Sequence, residues 1–250
     1  MTPSYDKIAY HTLAATSDAP LFIFGDHASK LIPAAFHNLG LSGDDLTRHI
    51  AWDIGTEVII RNLCAHFGCG AHLAAVSRLV IDMNRDPDAP GLIPVVSDGT
   101  IISGNEHLSA ADRQARIDGF YRPYHARLGA VMHRLASDHA RQNPLVISLH
   151  SFTPKPAMGE ARPTDIGLLT KHDTASAKAF IKTMADVAPD MRVDINLPYS
   201  AYDLNYTVDV HVATQGLRHL AIELRQDHVD DKQKQAAMTD ILIRALSPLL

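Results

Sequence analysis

Three short apolar runs, Leu21 to Gly25 (LFIFG), Pro144 to Leu149 (PLVISL) and His219 to Leu224 (HLAIEL), carry or lead into side chains that can bind a metal or move a proton. Runs of this length between turn residues read as buried strands. They alternate with longer amphipathic stretches, which is the pattern of an α/β chain. In open α/β sheets functional groups collect just beyond the carboxyl ends of the strands. Here the first run leads into Asp26 and His27, the second into His150, and the third carries Glu223 and leads into Arg225. One such ending is commonly a hydrogen-bonded structural residue, but three in one chain point to a shared site.

The remaining pattern fills in an α/β architecture. A helix is expected between Asp44 and Phe67, where Ile50, Ile54, Val58 and Leu63 fall near one face, with Gly68 and Gly70 stopping it. A second strand region covers Ala71 to Asp82, broken near Ser77. The Pro- and Gly-rich stretch from Asp86 to Glu106 is a long loop. Ser109, with Asp112 three positions on, caps a long helix running to about Gln142, and Pro123 should kink or split it. A proline-rich loop, Phe152 to Thr164, precedes a strand at Ile166 to Thr170, a helix at Thr174 to Val187 and a strand at Arg192 to Ile195. The turn-rich NLPYSAYD follows, and a helix from about Asp230 closes the chain. No linker separates two halves, so residues 1–250 are expected to form a single domain. The two long loops are expected to close over a substrate.

Composition narrows the function. With 46% apolar residues the chain can bury a sizeable core, and 23 basic against 28 acidic side chains, without basic runs, argue against nucleic acid or an anionic membrane as partner. No stretch of about 18 apolar residues occurs, and the N-terminus lacks a signal-peptide pattern, which predicts a cytoplasmic protein. Cys64 and Cys69 fit neither a disulfide framework nor a CxxC pair. Fifteen histidines against two cysteines imply that any metal is held by imidazole and carboxylate, a donor set suited to zinc and other divalent ions.

A catalytic zinc site needs three protein ligands and an open position. His27 and His150 supply two. The third is sought in His49 to Asp53, which share a face if that stretch is helical. Asp53 is preferred and His49 stays open, while the structural alternative for Asp53 is a helix N-cap. Glu223 is then free to act as general base, unless it merely pairs with Arg225. In SRLVIDMNR, Asn84 and Arg85 offer an amide and a planar guanidinium, suited to binding a substrate carboxylate. Arg225 is a further candidate for substrate binding. Arg78 can stabilise an oxyanion or serve as a structural ion-pair partner.

Taken in order, GDHAS, HIAWDIG, SRLVIDMNR, YRPYH, SLHSFTP and AIELRQD resemble the N-formylglutamate amidohydrolase family, over about Leu21 to Asp227. The resemblance implies metal-dependent hydrolysis of N-formyl-L-glutamate to glutamate and formate, a late step of a bacterial histidine-degradation route. It also implies a three-layer α/β/α fold with a mixed, mostly parallel sheet, like that of the zinc exopeptidases and aspartoacylase. By the same resemblance His27, Asp53 and His150 hold one zinc ion, Glu223 in AIELR is the base, and Asn84 with Arg85 grips the substrate carboxylate. The first motif, Asp26 to Ser29, departs from a Pro-His-Ser-Gly pattern, and Lys30 stands where the carboxypeptidase HxxE glutamate would be. Two other readings compete: an amidase acting on other N-acyl amino acids or peptidoglycan-type peptides, and a metal-binding module without turnover. Tyr121, Tyr124 and His125 in YRPYH, and His211, have no role in this chemistry. Tyr121, Tyr124 and His125 read either as a packed aromatic group at a helix kink or as support behind a metal ligand, and His211 either as a helix-surface residue or as one that faces the pocket.

Overall fold

The computed structural model describes residues 8–138 and 143–250. Seven strands form the central sheet: β1 Tyr10–Leu13, β2 Leu21–Gly25, β3 Gly70–Ala74, β6 Leu145–Phe152, β7 Ile166–Leu169, β8 Val193–Ile195 and β9 Arg218–Arg225. A separate hairpin, β4 Val96–Ser97 with β5 Thr100–Ile101, lies within the long loop. The main sheet runs β1-β3-β2-β6-β9-β7-β8. Pairs β3/β2, β2/β6, β6/β9 and β7/β8 are parallel, and β1/β3 and β7/β9 are antiparallel.

Strand residues alternate between two cores because side chains on a strand point to opposite faces. Leu21, Ile23, Leu145, Ile147, Leu220 and Ile222 pack on one side, under helices α1 Thr56–Phe67, α4 Thr174–Val187 and α5 Lys232–Leu246. Phe22, Phe24, Val146 and Ala221 pack on the other, with Phe120, Tyr124, Leu128 and Met132. These last belong to a helical stretch made of α2 Ala110–Arg116, a wide turn Ile117–Tyr121 and α3 Arg122–Ser137. The result is helix, sheet and helix in three layers, as expected.

Several elements differ from the sequence expectation. The helix expected between Asp44 and Phe67 is there as Thr56–Phe67, but Ile50 and Ile54 lie outside it, because Gly55 takes φ +84° and redirects the chain. Ile50 therefore joins the opposite core from Ile59, Ile60 and Leu63, and Val58 is 42% exposed. The strand expected over Ala71 to Asp82 ends at Ala74, and Gly70 opens it instead of stopping the helix. The β6 strand extends past Leu149 to Phe152, so His150 sits on the sheet and not after it. Ser109 does cap α2, accepting the Asp112 amide. Pro123 is accommodated by the wide turn before it, in which Arg122 N–H reaches back five residues to Ile117 O. The helix expected to reach Gln142 runs to Ser137, and its last four residues as expected lie outside the described residues.

Candidate metal centre and its cleft

The order β2-β6-β9 sets three neighbouring strand ends side by side. Register places His150 directly opposite Glu223, and both share the face of Val146 and Ala221, toward Tyr124. Asp26 and His27 follow β2 at the same end. Asp53 arrives on a separate loop that is tied down by its backbone. Its N–H donates to His27 O at 2.9 Å, Ser77 Oγ donates to Ala51 O, and Ser151 Oγ donates to Ile54 O.

His27, Asp53 and His150 are all buried, and one ligand atom from each lies within 4.8 Å of the others. Both imidazoles turn Nδ1 toward the same carboxylate oxygen, Asp53 Oδ2, at 3.3 Å from His27 and 2.8 Å from His150. Their opposite nitrogens are also engaged. His27 Nε2 is 2.7 Å from Asp82 Oδ1, and His150 Nε2 is 2.9 Å from Ser148 Oγ and 3.6 Å from Asp26 Oδ2. Tyr124 donates its hydroxyl to Asp26 Oδ1 at 2.7 Å. Imidazoles anchored through one nitrogen, with the other converging on a common point, are the arrangement that orients metal ligands.

Charge supports the same conclusion. Four buried carboxylates, Asp26, Asp53, Asp82 and Glu223, face two guanidiniums, Arg78 and Arg85, a net charge of −2 before the histidines are counted. Burial alone would raise the Asp53 pKa, but His27 and His150 outweigh it and hold the carboxyl well below its usual range. Asp82 is likewise lowered, against burial, by Arg78 and His27. Burial and Arg78 disfavour charge on His27, yet Asp82 and Asp53 raise its pKa; His150 is raised against burial by Asp26, Asp53 and Glu223. The carboxylates thus favour positive charge at both imidazoles, and a dication placed between them would supply it. Two imidazoles and a carboxylate suit a divalent ion such as zinc.

The cleft over this cluster encloses about 160 Å³ and is bordered by Arg78, Asn84, Arg85, Phe152, Tyr199 and Glu223. Glu223 is 8% exposed, and among the described residues no donor holds its carboxyl. Burial pushes its pKa up to about 7, with His150 opposing and Asp53 reinforcing the shift. Arg78 bridges Asp82 at 2.9 Å and Asp53 at 3.4 Å, so the ion-pair reading of this residue holds while it still borders the cleft. Arg85 reaches Asp82 only at 3.8 Å. Asn84 Oδ1 must accept the Thr207 N–H, which leaves the Asn84 NH2 as its remaining donor group.

Other expectations are corrected. Residues 49–55 are turns, not helix, so the shared face proposed for His49 and Asp53 does not exist. His49 borders the cleft with Nε2 3.2 Å from Asp98 Oδ2, and Asp53 joins the two histidines. Asp53 is not a cap: Gly55 precedes α1 without a side-chain hydrogen bond. Arg225 does not pair with Glu223, and it does not border the cleft. Its guanidinium is taken by Asp165 and Asp227, each at 2.8 Å, and by the carbonyls of Arg162, Pro163 and Thr164. Asp82 is the neighbour of the cluster that sequence reasoning missed, while Asp26, named with His27 at the end of the first run, and Tyr124 behind it take places around His150. The i, i+4 pair Arg78 and Asp82 beside Asn84 and Arg85 was the available signal for Asp82.

Compared with known proteins, residues 19–229 match the family model for N-formylglutamate amidohydrolase. A crystal structure of a gene product from Agrobacterium tumefaciens is 32% identical with a TM-score of 0.87, covering 96% of each chain. The N-formylglutamate amidohydrolase from Ralstonia eutropha is 20% identical with a TM-score of 0.72, again over 96% of each chain, and so shares the fold. No curated protein matches the chain.

Proposed function

We propose, since the chain belongs to the N-formylglutamate amidohydrolase family, that it is a zinc-dependent hydrolase of N-formyl-L-glutamate, releasing L-glutamate and formate. The observation that carries this reading is the meeting of His27 Nδ1, His150 Nδ1 and Asp53 Oδ2 beside the Glu223 carboxyl, which no donor among the described residues holds. A cleft of about 160 Å³ suits a small substrate, against roughly 300–1,000 Å³ for drug-sized ligands.

His27, Asp53 and His150 would hold the ion, which when bound supplies Lewis acidity to the scissile carbonyl and to water. Asp82 and Asp26 keep the two imidazoles oriented from behind. Glu223 takes a proton from the attacking water, whose oxygen adds to the formyl carbon. As the carbon–nitrogen bond breaks, Glu223 returns that proton to the leaving amine. Arg78 faces the charge that develops on the carbonyl oxygen, and the Asn84 NH2 with the Arg85 guanidinium binds a substrate carboxylate.

The test is metal content together with hydrolysis of N-formyl-L-glutamate by the wild type and Glu223→Gln. The expected result is metal-dependent turnover in the wild type and retained metal with lost turnover in the variant. A variant as active as the wild type removes Glu223 from the mechanism. Turnover of N-acetyl or peptide substrates in place of the formyl compound would transfer the site to another amide.

A further inference from the structure

Tyr121, His125 and His211 take no part in the chemistry above, yet the first two reach the back of the segment that would bind the substrate carboxylate and the third bonds His125. Met83, Asn84 and Arg85 lie in a turn outside helix and sheet, and each is held from behind. The Met83 carbonyl accepts from His125 Nε2 at 3.0 Å and from Thr207 Oγ1 at 3.2 Å. Asn84 Oδ1 accepts the Thr207 N–H at 3.0 Å, and the Arg85 carbonyl accepts the Tyr121 hydroxyl at 2.7 Å.

The proton positions follow from the acceptors. A carbonyl cannot donate, so His125 carries its hydrogen on Nε2. Burial pushes the His125 pKa down to about 4, with nearby Asp26 opposing, so the ring is neutral near pH 7 and its Nδ1 is an acceptor. His211 Nε2, 2.8 Å away, is therefore the donor, and the two rings stack at 5.1 Å. Both partners stand on wide turns: Tyr121 ends the turn before α3, and His211 lies in a second one, Val208–Val212. Such turns commonly re-aim side chains at functional sites. Gly129 in α3 admits His211, since a Cβ there would stand 3.1 Å from its Nδ1.

We propose that Tyr121, His125 and His211 are positioning residues for substrate recognition: they fix the Met83–Arg85 backbone so that the Asn84 amide and Arg85 guanidinium present one fork to a carboxylate. The inference rests on the reading of Asn84 and Arg85 as that fork. None of the three touches substrate.

The test uses the zinc-loaded full chain with N-formyl-L-glutamate for kinetics and the substrate-free chain for amide hydrogen exchange. Tyr121→Phe and His125→Leu should each raise KM about fivefold, the worth of one hydrogen bond, with kcat within about twofold of wild type. His125→Gln, which keeps an N–H donor, should recover most of the loss. In an Arg85→Ala background Tyr121→Phe should add nothing. Exchange at residues 83–85 should quicken in both variants while β6 stays protected. A fall in kcat at constant KM, or an equal penalty in the Arg85→Ala background, overturns the proposal. So does unaltered exchange at residues 83–85, and that readout stands even if the protein does not hydrolyse N-formyl-L-glutamate, a failure that would count against the amidase reading alone. Should His125→Leu not fold, Tyr121→Phe carries every readout.

Discussion

Replacing Glu223 by glutamine should strengthen the metal-free fold while abolishing turnover. Its carboxyl has no donor among the described residues, and burial moves its pKa from an ordinary 4.5 to about 7. A group whose pKa is raised on folding stabilises the protein fully below the unfolded value and loses that contribution as pH climbs to the folded value. The wild type should therefore lose about 3 kcal/mol relative to the glutamine variant between pH 4 and pH 8, at about 1.4 kcal/mol per pH decade. Urea unfolding of both proteins in chelator at several pH values measures the difference, which should grow between about pH 4.5 and 7 and then level off. The same substitution should lower kcat by roughly 10²–10⁴-fold in the loaded enzyme. A stability difference that does not change with pH would refute the claim that burial disfavours the ionised carboxylate there.

Metal binding should release protons, because carboxylate partners raise the pKa values of both His27 and His150 and a ligating imidazole must be neutral. Calorimetry in two buffers of different ionisation enthalpy measures this, and affinity should fall as pH is lowered through their raised pKa values; buffer-independent heats would contradict it. Gly55→Ala should cost on the order of 1–3 kcal/mol, since φ is +84° and a Cβ would stand 2.5 Å from Val229 O; an unchanged denaturation midpoint would refute this. Asp98 joins the two long loops, accepting the Ala157 N–H at 2.8 Å and lying 3.2 Å from His49. A product analogue should slow hydrogen exchange in residues 86–106 and 152–164, and equal exchange with and without it would count against closure.

What the sequence made legible was the set of strand ends. An apolar run of five to eight residues signals a buried strand whatever its neighbours, and β2, β6 and β9 happen to be adjacent, so their flanking residues met as expected. Asp53 was found through its chemistry, although the helix invoked to place it is absent, because Gly55 turns the chain before α1 begins. The edge strand β1 went unread: it is four residues long and mostly polar, and it is held by antiparallel pairing with β3. The contacts that Asp26, Asp82 and Tyr124 make were invisible for another reason. Tyr124 and Asp26 lie 98 positions apart, and His27 and Asp82 are separated by 55, so no local period links them. Arg225 misled because its strand position is right while nearby aspartates claim its charge.

The pairing of His150 with Glu223 across β6 and β9 has a mechanical consequence. Side chains alternate on a strand, so sliding either strand by one residue would swing its functional group to the opposite face of the sheet. The spacing of the His150 imidazole and the Glu223 carboxyl is thus set by interstrand ladder bonds in the middle of the protein and cannot drift with the surface. Warming or mild denaturant should loosen the Met83–Arg85 turn well before it alters the spacing of His150 and Glu223, which persists until the sheet itself comes apart.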